Sequence, residues 1–124
     1  MSGTNGYLFD TNTLISYLQG NAELQNFSTS IIYLPVISLL EFLFFSGLDQ
    51  EEKNLLDEFI KNVEVIDLNN SNTSLINIIV QVRHANRIKL PDAIIAATVI
   101  YKNATLITND KDFARINSLR TLTY

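Results

Sequence analysis

The sequence predicts an α/β fold, a three-layer α/β/α sandwich with helices on both faces of a mostly parallel central sheet. Short runs rich in β-branched and aromatic residues recur along the chain, and each stops at a turn-forming cluster. Longer stretches with apolar residues at helical spacing separate these runs. The resulting order, strand-helix-strand-helix-strand-helix-helix-strand, supplies the crossovers that parallel neighbours require and puts helices outside the sheet.

Tyr7-Leu8-Phe9 is the first strand, and it ends at Asp10-Thr11-Asn12, a cluster suited to a turn and a helix N-cap. The following helix runs through Leu14, Ile15 and Leu18 to Gly20, and Ala22 to Thr29 reads as a second, shorter helix. Ile31-Ile32-Tyr33-Leu34 is the next strand, terminated by Pro35, which cannot donate to a ladder. Ser38-Leu39-Leu40-Glu41 fits a capping box in which the Glu41 carboxylate reaches back to the Ser38 amide. The helix it opens, Leu39 to Ser46, is apolar almost all round and is closed by Gly47, so it is deeply buried or offers apolar surface to a partner.

Asp49 to Lys61 is an amphipathic helix with Leu55, Leu56, Phe59 and Ile60 as its inner stripe. Val63 to Leu68 alternates as a strand with one polar face and belongs near a sheet edge. Past Asn69 to Asn72, a helix carries Leu75, Ile78, Ile79 and Val82 at helical spacing. It ends among Arg83, His84, Arg87 and Lys89, cations that compensate the negative end of a helix dipole or form a phosphate-contacting patch. Pro91 suits a first helical position and places Asp92 in the first turn of an apolar helix. By itself Asp92 is a dipole-compensating residue. Ala104 to Thr108 then reads as a short strand ending in Asn109-Asp110-Lys111-Asp112, and Thr121 to Thr123 as a final one.

The 124 residues are 47% hydrophobic, which suits one domain over residues 1–124, large enough to bury roughly two-thirds of its unfolded surface. No cysteine is present, which removes disulfides, thiolate metal sites and a Cys nucleophile. The first residues lack a basic region followed by an apolar run, and no apolar stretch approaches the roughly 18 residues of a membrane span. A soluble, cytoplasmic protein is expected. The net charge is −4, yet residues 1–67 hold ten acids against two bases while residues 68–124 hold three acids against seven bases. A local basic face counts for more toward phosphate than the total.

In a parallel sheet ligands bind beyond the carboxyl ends of the strands. Asp10 follows the first strand, Glu41 lies in the helix after the second, and Asp110 follows the strand that ends at Thr108. Asp92 opens the helix leading into that strand, and reaches the same rim only if the connection brings it round. Should the four meet, two unit charges about 4 Å apart repel by about 4 kcal/mol at an effective dielectric of 20. Several carboxylates in one cleft must then protonate or bind a cation. All-oxygen ligands select a hard ion, Mg²⁺ or Mn²⁺, and a single histidine with no cysteine argues against structural zinc.

Four segments in order resemble the PIN domain, and within it the VapC-type ribonuclease toxins: Leu8-Phe9-Asp10-Thr11-Asn12, Ser38-Leu39-Leu40-Glu41, Leu90 to Ala97, and Leu106 to Phe113. The resemblance spans nearly the whole chain and implies a PIN-like, Rossmann-like sandwich. It implies a metal-dependent endoribonuclease in which Asp10, Glu41, Asp92 and Asp110 hold one or two Mg²⁺ or Mn²⁺ ions. Asn12 and Thr108 would support that site by hydrogen bonding, Asp112 would act as a secondary acid through water, and Arg83, Arg87 and Lys89 would contact the RNA substrate. The ions would supply the nucleophilic water and the charge stabilisation, so that no protein base is needed. A small antitoxin partner and a homodimer are also implied, with Leu14, Leu18, Phe42 and Phe45 as candidates for an apolar groove, although core packing is the favoured role for each.

Other readings are separable. A PIN-like nuclease that processes RNA without being a toxin would share every acid. Aspartyl-phosphate phosphatases need a second acid two residues after the first, where this chain has Asn12, and receiver domains space their acids differently. A non-catalytic interaction module would use the Leu39–Ser46 helix for binding and its acids only as caps.

Overall fold

The computed structural model describes residues 4–44 and 49–124. Five strands form one sheet: β1 (Tyr7–Phe9), β2 (Ile32–Pro35), β3 (Glu64–Ile66), β4 (Thr105–Ile107) and β5 (Thr121–Leu122). Their order is β3-β2-β1-β4-β5 and every pairing is parallel, so the sheet is parallel throughout rather than mostly so. The helices are α1 (Thr11–Leu18), α2 (Val36–Phe44), α3 (Gln50–Lys61), α4 (Thr73–Asn86), α5 (Leu90–Lys102) and α6 (Lys111–Ala114), with a 3₁₀ turn at Leu24–Phe27.

Strand alternation builds the three expected layers. Leu8, Tyr33 and Leu106 point to one face of the sheet, where α4 and α5 cover them through Leu75, Ile79 and Ile95. Phe9, Leu34 and Ile107 point to the other, under Leu14 of α1 and Leu56 and Phe59 of α3. β3 is an edge strand, as its polar alternation requires.

Several local expectations change. Helix α2 starts at Val36, so Ser38 lies inside it, fully buried, with no hydrogen-bond partner for its Oγ among the described residues. The capping box is therefore absent. Burial sets this helix start instead: Ile37 packs against one core cluster, while Leu39 and Phe42 pack against the other. Its expected end at Ser46 and Gly47 lies outside the described residues. Ala22 to Thr29 yields only the 3₁₀ turn, with Leu24 buried. Leu55 faces solvent, leaving Leu56 and Phe59 as the buried stripe of α3. Lys89 is the N-cap of α5, which moves Pro91 one residue further in and keeps Asp92 in the first turn. Helix α6 has no counterpart in the sequence reading, because four residues are too short for a periodic signal.

Candidate functional site

The two central strands set the site. β1 and β4 lie side by side with Phe9 opposite Ile107, so the residues just past each strand emerge together at the carboxyl rim of the sheet. Asp10 leaves β1 as the N-cap of α1, and its Oδ1 accepts the Thr13 amide at 2.8 Å. Its Oδ2 accepts the hydroxyl of Thr108, the residue immediately after β4. The Thr108 hydroxyl in turn accepts the Asp110 amide at 3.0 Å. The Thr13 hydroxyl donates to the Ile107 carbonyl at 2.8 Å, tying the start of α1 to the end of β4. Asp10, Thr13 and Thr108 are all buried. A buried carboxylate is tolerable only when its oxygens are satisfied in this way.

Glu41 arrives from α2, one strand over. The Thr11 hydroxyl donates to its Oε1 at 2.6 Å, which orients the carboxylate toward the α1 terminus, and among the described residues no partner reaches Oε2. Asp110 caps α6 through the Asp112 amide, at 2.9 Å. Asp92 comes from the mouth of α5. Asp10, Glu41, Asp92 and Asp110 line one pocket of about 180 Å³ together with Thr11, Asn12, Ile95 and Phe113, and among the described residues no basic side chain shares the lining.

Electrostatics register the convergence. The Asp92 carboxyl is raised above the ordinary aspartate value, first by burial and then by the negative charges of Asp110, Glu41 and Asp112, with Lys89 opposing. Among the described residues, no three Asp, Glu or His side chains are grouped tightly enough to hold a metal ion between them. The donor set nonetheless fits a hard divalent ion, because Mg²⁺ keeps several waters and takes one or two carboxylates directly. A pocket lined by four acids, with no base among the described residues, has the charge to accept one.

The remaining candidates divide. Asn12 is exposed at the pocket lining and Thr108 is buried behind Asp10. Asp112 lies outside the lining, exposed, and pairs with Arg115 at 3.6 Å. Of the three expected phosphate contacts Lys89 acts on Asp92, while Arg83 and Arg87 line a separate depression. Leu14 and Phe42, groove candidates whose favoured role is core packing, are core residues, and Leu18 is half-buried. Phe45 lies outside the described residues. On α2 the exposed apolar residues are Leu40, Leu43 and Phe44, the last 85% exposed. Thr11 and Thr13 are positioning residues that the sequence does not single out. Thr11 sits within the segment Leu8 to Asn12, but nothing in the linear sequence joins residue 11 to residue 41.

The family model of the PIN domain matches residues 7–119. No curated protein matches the chain. Among solved structures, VapBC2 from Rickettsia felis bound to a DNA fragment from its promoter aligns with a TM-score of 0.80 at 24% identity, covering 95% of this chain and 98% of that one. A toxin–antitoxin complex from Klebsiella pneumoniae gives 0.76 at 28% identity, covering 94% and 96%. DNA-bound VapBC from Salmonella typhimurium gives 0.75 at 23% identity with the same coverage.

Proposed function

The chain belongs to the PIN domain family, and on that premise we propose that it is a Mg²⁺- or Mn²⁺-dependent endoribonuclease, the toxin of a VapBC-type toxin–antitoxin pair. The observation that carries this reading is the shared pocket of Asp10, Glu41, Asp92 and Asp110, in which Asp92 is repelled by two of the other three. A divalent ion bound there would polarise the scissile phosphodiester and supply a nucleophilic water at neutral pH.

The chain's own residues would do the rest. Thr108 and the Thr13 amide fix the Asp10 carboxylate, and Thr11 fixes Glu41. Asn12 would hydrogen-bond at the open side of the pocket, Asp112 would act through water, and Lys89 would meet a phosphate of the bound RNA. The apolar residues Leu40, Leu43 and Phe44 would receive the small antitoxin. An antitoxin partner is supported by the toxin–antitoxin complex from Klebsiella pneumoniae that aligns with the chain. The enzyme would act in the cytoplasm; among the described residues no helix is long and apolar enough to cross a membrane.

The test is a Mn²⁺ titration by calorimetry on antitoxin-free protein, paired with cleavage of a mixed RNA pool with and without chelator. Saturable Mn²⁺ binding and chelator-sensitive cleavage are expected. Protein that binds no ion and cuts no RNA would leave the acids as helix caps and favour an interaction module.

Thr11 gives a finer test of the same pocket. Thr11→Val removes the hydroxyl that orients Glu41 and is expected to weaken Mn²⁺ binding by about fivefold, the worth of roughly 1 kcal/mol of hydrogen bonding. Thr11→Ser keeps the donor and should bind as the wild type does. Equal affinities for all three proteins in the titration would remove Glu41 orientation from the account.

A further inference from the structure

An asparagine that follows a strand commonly bonds the backbone two residues on and closes a local turn. Asn109, between Thr108 and Asp110, reaches instead to Tyr124, 15 residues along the chain. Its Nδ2 donates to the Tyr124 carbonyl at 2.9 Å and its Oδ1 accepts the Tyr124 amide at 2.9 Å, so one side chain satisfies both backbone groups of that residue. Tyr124 is half-buried and packs against the core cluster that holds Phe9, Leu14 and Ile107.

The β4–β5 ladder shows what this clamp replaces. The Leu106 amide donates to the Arg120 carbonyl at 2.8 Å, and the Thr108 amide to the Leu122 carbonyl at 2.9 Å, a step of two residues on both sides. Continued once more, the series would join the Asp110 amide to the Tyr124 carbonyl. That amide is turned away: it donates to the Thr108 hydroxyl at 3.0 Å, and the same hydroxyl donates to Oδ2 of Asp10. One N–H cannot serve both acceptors well, and a backbone carbonyl needs a donor. The Asn109 carboxamide supplies it, and the Asp110 amide is left to Thr108.

We propose that Asn109 is a positioning residue for the acid pocket, standing in for the Asp110 amide in the β4–β5 ladder and so holding Asp110 and Asp10 together through Thr108. Without it, the Tyr124 carbonyl and the Thr108 hydroxyl compete for the Asp110 amide. The chain from Thr108 to Asp110 is then drawn toward β5, which is only two residues long and has few ladder bonds of its own. The consequence for a bound ion rests on the metal site proposed above, whereas the clamp itself does not.

Asn109→Ala tests this, with Arg120→Ala as its control. Arg120 ties the opposite end of β5 to Asn103, its Nη2 lying 3.0 Å from the carbonyl and 2.6 Å from Oδ1. Its loss therefore loosens the same strand away from the acids. In metal-free protein, hydrogen exchange followed by NMR should show the Asp110 amide exchanging at least about fivefold faster in Asn109→Ala, the scale of one hydrogen bond, and at the wild-type rate in Arg120→Ala. Calorimetric titration should show Mn²⁺ affinity about fivefold weaker in Asn109→Ala and unchanged in Arg120→Ala, whichever of the two melts lower. An Asp110 amide that exchanges alike in wild type and Asn109→Ala overturns the proposal. So does a Mn²⁺ affinity that Asn109→Ala leaves intact or that Arg120→Ala lowers equally, since the tie would then be strand anchoring alone. A wild type that binds no Mn²⁺ would instead remove the metal site, and exchange at Asp110 would still decide the clamp.

Discussion

Asp92→Asn is expected to abolish metal-dependent RNA cleavage and, in the same protein, to raise the thermal midpoint measured without metal. Both effects come from one source. Burial, Asp110, Glu41 and Asp112 all disfavour the charged form of Asp92, and its carboxyl is raised above the ordinary value. The folded state therefore holds that proton more tightly than the unfolded chain does. The linked stability is fully present below the ordinary carboxylate range and is lost as pH rises through the raised value. At neutral pH the ionised side chain thus weighs against folding, and the isosteric amide removes that penalty. It also removes the charge that draws a divalent ion, so cleavage should fall by at least about a hundredfold, the scale of losing one charge-stabilising group in an active site.

Calorimetric scans of metal-free wild type and Asp92→Asn at pH 8 and pH 5 check the sign, with the variant's advantage expected to shrink at the lower pH. A variant that melts below the wild type at pH 8 would mean that Asp92 is held by attractions rather than repelled. Asp10→Asn makes the control. Asp10 caps α1 and takes the Thr108 hydroxyl, so its substitution should abolish cleavage to the same extent with no gain in stability. In the proposed function, stability and activity part company at Asp92 because that side chain would serve an ion rather than the fold.

The site is legible in the sequence where chemistry and chain position coincide. Asp10 and Asp110 each come after a strand, and parallel strands deliver their next residues to one rim. Asp92 is harder to place because a helix N-terminus reaches that rim only by a particular path. The two-residue connection from Arg87 to α5 supplies the path, with Arg87 itself in a left-handed conformation at a φ of 52°. The features hidden from the sequence depend on partners distant along the chain. Locally, Ser38 is the natural partner of Glu41 three residues away, whereas its actual partner, Thr11, is 30 residues away. Leu14 and Phe42 fit both a partner groove and the core in the sequence, because apolar residues look alike in either place, and the structure puts both in the core. Arg83 and Arg87 read as neighbours of Asp92 because they are close to it along the chain, yet they line a different depression.

Phe9→Ala is expected to cost most of the protein's stability and, through that loss, to show whether an ion binds the native pocket. Phe9 is fully buried in β1, immediately before Asp10. Its ring lies 5.3 Å from Tyr17, 6.4 Å from Phe27 and 6.2 Å from Phe59, so it joins α1, the 3₁₀ turn and α3 to the sheet. Truncating a buried phenylalanine costs about 3–5 kcal/mol, against the roughly 5–15 kcal/mol that holds a typical domain together. Urea unfolding should show the midpoint falling steeply, with Phe9→Leu losing far less because the cavity is smaller. An ion that binds only the folded chain adds about 2.7 kcal/mol of stability at a hundred times its dissociation constant. Saturating Mn²⁺ should therefore recover much of what Phe9→Ala loses, and should recover nothing when Asp92→Asn is added. Equal recovery in both proteins would place the bound ion away from the acid pocket.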